Sequence, residues 1–483
     1  MKIDQIYTGC LAEAAYYIES DGEAVIIDPL RDIQGYLDIL DKRGARLKYI
    51  FETHFHADFV SGHLDLAKKT GAQIVYGPMA ETEYDIHNAK DGEILTLGEI
   101  SFEVLHTPGH TMESTTYLLK DKSGKDHAIF TGDTLFLGDV GRPDLAIKHE
   151  EITREDLAGM LFDSLREKIM PLDDGVIVYP AHGAGSACGK NMSSDTWGYL
   201  GDQKKENYAL REDMTKDEFI KEVTAGLTPP PQYFAKNAAL NKKGYESIDA
   251  VMERGSIGLD PTKFFQLADR HNALVLDVRP MKEYGKKHIP GSIFIGLDGS
   301  FAPWVGSLVT NLKKKILLVV EKGREEEAVT RLARVGYDNV LGYLKGGLDA
   351  WGKAGFETDK VDSITAAMFA GLNSSDGKDV VLDVRKPPEF LKQHLVVAKN
   401  FPLDYISRNM DEIDREHKYY LHCVSGYRSM VAASILKARG YNNIVDIDGG
   451  WQALTKTNVE ITEEVCPSTI SQEDLEAAIK EVT

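Results

Sequence analysis

Cysteine is scarce in this chain of 483 residues. The four present, Cys10, Cys188, Cys423 and Cys466, lie far apart and form no C-x-x-C pair. That argues against a disulfide scaffold and leaves any thiol chemistry to single residues. Long apolar runs are missing too: none approaches the ~20 residues that cross a bilayer. The N-terminus, Met1-Lys2-Ile3-Asp4, has the mix of a strand and not the regions of a signal peptide. Basic charge is in deficit, 56 Lys+Arg against 76 Asp+Glu for a net charge of -20, which disfavours nucleic acid and anionic lipid as partners. The expectation is a cytoplasmic protein with no membrane and no nucleic-acid partner. At ~150 residues per domain the length suggests about three domains.

An internal repeat is present. Leu276-Asp277-Val278-Arg279, followed by Glu283 and His288, recurs as Leu382-Asp383-Val384-Arg385, followed by Glu389 and His394, at identical spacing. Each copy later reaches a Gly-Gly turn, Gly346-Gly347 in the first and Gly449-Gly450 in the second. Short β-branched runs such as Ala273 to Val278, Ile316 to Val320 and Val380 to Leu382 alternate with helical patterns such as Ser429 to Arg439. That alternation predicts two tandem domains, each a parallel sheet covered by helices on both faces. A polar, amphipathic helix is expected from Ser471, with Leu475, Ala478, Ile479 and Val482 on one face, and it is given no function.

Residues 1 to about 235 have a different rhythm. Strands are expected at Ala24 to Ile27, Tyr49 to Glu52, Ile74 to Tyr76 and Val176 to Val178, with polar, Gly-rich loops after them. A β-sandwich or layered α/β scaffold presents a site on such loops. Four ordered segments carry candidate metal ligands: Thr53-His54-Phe55-His56-Ala57-Asp58-Phe59, Thr107-Pro108-Gly109-His110-Thr111, Phe130-Thr131-Gly132-Asp133-Thr134 and Tyr179-Pro180-Ala181-His182-Gly183. One H-x-H among 14 His would be weak, but four segments in order are a specific signal.

These segments resemble the metallo-β-lactamase superfamily across the first domain, which implies an αββα sandwich. The superfamily pattern H-x-H-x-D-H usually feeds two metals, and here its last position is Phe59, whose ring cannot donate an electron pair. The favoured expectation is a mononuclear centre. Asp139-Val140-Gly141-Arg142-Pro143-Asp144-Leu145 narrows the resemblance to the persulfide dioxygenases, in which fusion to rhodanese domains is known. That resemblance implies one Fe(II) per chain held by His54, His110 and Asp133, a set that suits non-haem iron, with zinc as the alternative metal. His56, Asp58 and His182 stand at superfamily ligand positions and are expected around the metal, fixing ligand tautomers and holding its water, or as alternative metal ligands; the competing account is that they are satisfied polar residues. Arg142 is a candidate for binding a substrate carboxylate, with a structural salt bridge as the rival. His63 is expected on a helix surface, and His87, His106, His127 and His149 receive no role.

In the second repeat His422-Cys423-Val424-Ser425-Gly426-Tyr427-Arg428-Ser429 follows a strand and precedes a helix. Backbone N–H groups and a helix N-terminus would then face Cys423 and favour its thiolate. The spacing Cys-x4-Arg is tighter than the Cys-x5-Arg of phosphate-cradling phosphatases, and the copy resembles an active rhodanese with Cys423 and Arg428 as catalytic residues. The first repeat places Val320 at the cysteine position and adds Glu321, Glu325 and Glu326, so it is read as a structural or docking module. Cys10 and Cys466 are expected to pack; Cys188 is expected buried, near the His182 loop.

The fold expected is therefore α/β: a metallo-β-lactamase sandwich over 1–245, a rhodanese-like domain without its cysteine over 246–358, a rhodanese domain with Cys423 over 359–465, and a helix over 466–483. The implied function is oxidation of a low-molecular-weight persulfide by O2 to sulfite and free thiol, coupled to sulfur transfer among persulfide, sulfite and thiosulfate at Cys423. One rival is a dizinc thioester or lactam hydrolase of the glyoxalase II type fused to a sulfur carrier. The other is a non-catalytic sulfur-carrier or binding protein. The thiol carrier, the direction of sulfur transfer and homo-oligomerisation are left open.

Overall fold

The computed structural model describes residues 1–145, 152–190, 192–227, 229–372 and 379–466, with Asp474, Ala477, Ala478 and Lys480 beyond them. Leu475, Ile479 and Val482 of the expected C-terminal helix, and His149, lie outside the described residues. The chain forms two compact units, Met1–Val251 with Thr330–Tyr337, and Met252–Val329 with Asp338–Thr483. No helix among the described residues is long and apolar enough to cross a membrane.

Two six-stranded sheets build the first unit. One runs in chain order through Lys2–Thr8, Glu13–Ser20, Glu23–Ile27, Arg46–Phe51, Gln73–Tyr76 and His87–Asn88. The other is ordered Gly198–Tyr199, Ile177–Pro180, Asp126–Gly132, Thr115–Lys120, Ile100–His106 and Ile94–Leu97. Alternate residues of a strand face opposite ways, and here both faces of the second sheet are apolar. Phe102, Val104, Tyr117, Leu119 and Phe130 join Tyr16, Ile18, Val25, Phe51 and Val75 in a core between the sheets. Leu105, Leu118 and Ile129 point the other way, into a core shared with Ala158 and Leu161 of helix Arg154–Ser164 and Phe219 and Val223 of helix Lys216–Thr224. Helix His63–Thr70 packs on strands Arg46–Phe51 and Gln73–Tyr76 of the first sheet. This is the expected αββα sandwich. The stacked pair Phe51 and Tyr117, with ring centroids 4.4 Å apart, ties its two sheets at the centre. Each such fully buried ring contributes about 1.5–3 kcal/mol.

Both five-stranded sheets of the second unit are parallel throughout and share one strand order, 1-5-4-2-3. The first comprises Gly258–Leu259, Val340–Leu344, Ile316–Val319, Leu274–Asp277 and Ile293–Phe294, and the second Asp362–Thr365, Ile444–Asp448, Lys418–His422, Asp379–Asp383 and Ala398–Asn400. The copies match bond for bond. Val278 N donates to Val319 O at 2.9 Å, as Val384 N donates to His422 O at 3.0 Å, so Val320 stands where Cys423 stands. The thiol-less copy holds the other one: Phe294 N donates to Ser434 Oγ at 3.0 Å and the Tyr427 hydroxyl donates to Gly296 O at 2.9 Å. Both acceptor and donor lie on helix Tyr427–Ala438, which begins at the cysteine loop.

Candidate functional site

The four ligand-bearing segments follow strand ends and meet at one edge of the sandwich. Thr115 N donates to Thr53 O, Ala181 N to Gly132 O and Ala14 N to Ala181 O, stitching the loops together. Asp28 adopts φ 50°, a left-handed conformation that costs a non-glycine residue energy. Its carboxylate there accepts from Thr53 N and from Thr53 Oγ1, both at 2.8 Å. Because that hydroxyl gives its proton to Asp28, its oxygen accepts from His54 Nδ1, 3.0 Å away. The Nε2 lone pair of His54 is left free, 3.8 Å from Asp133 Oδ2. His110 reaches the same state by another route: Nδ1 lies 2.9 Å from Arg142 O, an acceptor only, and Nε2 lies 3.4 Å from Asp133 Oδ2. That oxygen is buried and has no hydrogen-bond partner. His54, His110 and Asp133 therefore converge as a group whose atoms could hold a metal ion, all fully buried. Burial, with His56 beside it, holds His54 well below its usual range, and burial lowers His110 also, so both rings are neutral donors. Burial works against the charge of Asp133, yet His182, His54 and His110 hold it below the ordinary carboxylate range.

His182 links this triad to a second group. Its Nδ1 is 2.7 Å from Asp133 Oδ1 and its Nε2 is 2.9 Å from Asp58 Oδ2. Burial opposes protonation, but the two carboxylates raise its pKa well above the imidazole value. Cys188 joins Asp58 and His182, their ligand atoms all within 4.8 Å of one another, and its thiol is pushed up by burial and then by Asp133 and Asp58. His56 goes elsewhere: Nε2 is 3.1 Å from Asp28 Oδ1, and its ring stacks on Phe59 with centroids 4.3 Å apart.

Two expectations need correction, and for Arg142 one of the two accounts is seen. His63 is not on a helix surface; it is fully buried, with Nδ1 3.3 Å from Glu52, because the helix starts against the end of strand Arg46–Phe51. Cys466 is exposed, since the segment after the last sheet lies on the surface. Arg142 is bound bidentately by Asp144 at 2.6 and 2.8 Å with its side chain 5% exposed, the salt-bridge alternative. Its backbone carries the more consequential contacts, accepting from His110 and donating to Cys188 O at 2.9 Å. Gly141, next to it, is required: a Cβ there would stand 2.1 Å from Asp133 O and 2.8 Å from His110 Nδ1. Gly141→Ala is expected to destabilise the first unit by about 1–3 kcal/mol in urea denaturation, the usual cost of overpacking.

In the second unit the loop expected at Cys423 is formed. Strand Lys418–His422 ends at it, Gly426 takes φ 110°, and Gly426 N donates to Cys423 Sγ at 3.2 Å. Ser429 Oγ braces the loop from beneath, donating to Gly426 O at 2.9 Å and lying 2.6 Å from Asp446 Oδ1. Arg428 is held bidentately by Glu389 at 2.6 and 2.8 Å, a partner that the repeat contained but the sequence did not assign. Burial lifts Asp446 to about 7 against the hydrogen bond to Ser429. The folded value exceeds the unfolded one of about 3.9. Stability is therefore lost as pH rises from about 4 to about 7 and is constant above that. Asp446→Asn keeps a neutral hydrogen-bonding partner for Ser429 and is expected to flatten that loss, on the order of 4 kcal/mol, in urea melts across this range.

Comparison with known proteins gives a consistent picture. The metallo-beta-lactamase superfamily matches residues 8–182, and the rhodanese-like domain matches residues 260–354 and 368–457. The human protein "Persulfide dioxygenase ETHE1, mitochondrial" is 34% identical over 166 residues, which are 33% of this chain and 59% of that protein. "Hydroxyacylglutathione hydrolase cytoplasmic" of Arabidopsis thaliana is 34% identical over 147 residues, 29% of this chain and 56% of that protein. The chain thus spans less than two thirds of the length of these curated relatives. The crystal structure of a metallo-beta-lactamase from Staphylococcus aureus subsp. aureus COL aligns with TM-score 0.61 and 32% identity, over 71% of this chain and 98% of that one. The chain belongs to the metallo-β-lactamase superfamily, and two rhodanese-like domains follow its sandwich.

Proposed function

We propose that this protein is an Fe(II)-dependent persulfide dioxygenase that also transfers sulfur at Cys423. The observation that carries the reading is the buried meeting of two neutral imidazoles, their Nε2 lone pairs free, with a carboxylate oxygen that has no hydrogen bond. Two histidines and one carboxylate are the usual platform for non-haem Fe(II). His54, His110 and Asp133 would hold the ion, which when bound supplies the redox chemistry between O2 and the sulfane sulfur. Overall, RSSH, O2 and H2O give RSH, sulfite and two protons; the outer sulfur loses four electrons and O2 gains them. Thr53 and the Arg142 carbonyl fix the ligand tautomers, His182 clamps the far oxygen of Asp133, and Phe59 fills the place of a further nitrogen donor. A substrate carboxylate would reach Arg142 only by displacing Asp144.

At Cys423 the thiolate attacks the outer sulfur of thiosulfate or of a persulfide; the S–S bond breaks and sulfite or thiolate leaves with the electron pair. The reverse step regenerates thiosulfate from sulfite. Gly426 N–H steadies the charge on sulfur, and Arg428, anchored by Glu389, orders the rim of the loop. The proposed domain limits are 1–245, 246–358, 359–465 and 466–483, and the proposed compartment is the cytoplasm, a reducing setting that suits a chain with four scattered cysteines.

The equal identity to a hydroxyacylglutathione hydrolase favours a second reading, a zinc thioester hydrolase. Protein purified without oxygen separates them. One iron per chain with oxygen uptake on adding glutathione persulfide is the expected result. Two zinc ions, no iron, and thioester hydrolysis without oxygen uptake would sink the dioxygenase reading; no metal at all would leave a sulfur carrier.

A further inference from the structure

We infer that Asn241 and the segment Thr330–Tyr337 are positioning elements of the metal centre: from outside the sandwich they fix the loop that carries His54, His56 and Asp58. The thiol-less rhodanese copy thereby keeps a use. The inference rests on the triad holding a metal, as proposed above, and not on which ion it holds. Thr330–Tyr337 belongs to the first unit. It lies within the rhodanese-like match and Asn241 lies in neither match, so both stand outside the residues 8–182 shared with the metallo-β-lactamase superfamily.

The ligand loop is hard to satisfy. Every residue from Phe51 to His63 is buried, and the stretch between strand Arg46–Phe51 and helix His63–Thr70 is neither helix nor strand. Its backbone groups have no ladder and no access to water, so partners must come from elsewhere. Asn241, itself fully buried, answers with its whole amide: Nδ2 donates to His56 O and to Phe59 O, both at 2.8 Å, and Oδ1 accepts from Ser61 N at 2.9 Å. Two hydrogens and one oxygen meet two carbonyls and one N–H, so a flipped amide or an aspartate would leave buried groups unpaired. Helix Phe234–Lys243 carries the residue and is held in its turn, the Tyr84 hydroxyl donating to Asn241 O at 2.5 Å and Glu83 N to Lys242 O at 3.0 Å.

A fourth bond to the loop comes from the other element. The end of a helix leaves carbonyls without partners inside it. At the end of helix Glu325–Ala333, Arg334 O accepts from Val60 N at 2.7 Å, and Ala333 O accepts from the fully buried guanidinium of Arg31 at 2.8 Å. Asp32 grips the Arg334 guanidinium through two bonds of 2.7 Å.

From the loop the constraint passes to the ligands. Phe59 follows Asp58 directly; Asp58 Oδ2 is 2.9 Å from His182 Nε2, and His182 Nδ1 is 2.7 Å from Asp133 Oδ1. His56 stacks on Phe59 and reaches Asp28, which fixes the His54 tautomer through Thr53. Loosening the loop therefore takes orientation from Asp133 and His54, while His110 keeps its own anchor on the Arg142 carbonyl.

The test uses full-length protein stripped of metal and titrated without oxygen with cobalt(II) against a competing chelator, with the ligand-field spectrum of the bound ion recorded. Asn241→Asp has nearly the original shape and keeps the acceptor for Ser61 N but loses both donors; its cobalt affinity is expected to fall about 10–100-fold, the usual effect of losing a group that orients a ligand. Arg334→Ala frees the segment from Asp32 and is expected to lower the affinity about 2- to 30-fold, the range for coupling through a packed network. In both variants the spectrum shifts, and sulfur transfer at Cys423 stays at the wild-type level. Thr215→Ala is the stability control, since it removes the capping box of helix Lys216–Thr224, which packs on the other face of the second sheet. Its melting temperature falls, but its cobalt affinity and spectrum match the wild type. Wild-type affinity and spectrum in folded Asn241→Asp and Arg334→Ala overturn the inference, as does a Thr215→Ala protein that loses cobalt as readily as they do; if Asn241→Asp does not fold, Arg334→Ala decides. A wild type that holds two zinc ions and hydrolyses thioesters removes the dioxygenase reading alone. A wild type with no cobalt site that His110→Ala abolishes removes both.

Discussion

Asp133→Ala is expected to lower bound iron at least about 100-fold in affinity and to abolish persulfide-dependent oxygen uptake. Loss of a residue that only orients a ligand already costs 10–100-fold in metal binding. Asp133 does more. It is the sole anion of the triad, it brings Oδ2 to within 3.8 Å of His54 Nε2 and 3.4 Å of His110 Nε2, and its other oxygen holds His182. Without it, two neutral imidazoles remain in a buried site with nothing to balance a divalent charge. Metal analysis and an oxygen electrode check this together. Retention of about one iron per chain with undiminished uptake would show that the ion is held elsewhere.

The meeting of His54, His110 and Asp133 was legible because each follows the end of a strand, where a short motif fixes both residue type and position. His54, His110 and Asp133 lie up to 79 positions apart, yet parallel and antiparallel pairing returns every one of those loops to the same edge. The two repeats were legible for a similar reason: Asp277 and Arg279 clasp each other as Asp383 and Arg385 do, a pairing local in sequence. What escaped depends on loops folding back. Cys188 reaches Asp58 across 130 positions because Arg142 and Asp139 capture the loop, and no periodicity encodes that. His63 has the spacing of an exposed helix start, but Glu52 and the rings of Tyr84 and Tyr245 enclose it. For Arg142 the sequence left a salt bridge and a substrate carboxylate as rivals, and the partner that engages it is an aspartate two positions on.

Cys423→Ser is expected to abolish sulfur transfer from thiosulfate, a loss of at least about 10³-fold comparable to removing a catalytic nucleophile, while leaving persulfide oxidation largely intact. A serine hydroxyl fits under the Gly426 N–H but cannot form a persulfide, so the loop survives and the chemistry does not. His110→Ala should do the converse, since it removes a donor from the triad in the first unit and leaves the loop of the second unaltered. Val320→Ala supplies the control. It sits at the position equivalent to Cys423 and is buried, so losing its two methyl groups should cost about 1.5–3 kcal/mol of stability and neither activity. Assays of thiosulfate sulfurtransfer and oxygen uptake on all three variants test the separation. If Cys423→Ser stops oxygen uptake even when glutathione persulfide is supplied directly, Cys423 is an obligatory sulfur donor to the metal centre, and the two sites are steps of one reaction instead of independent activities.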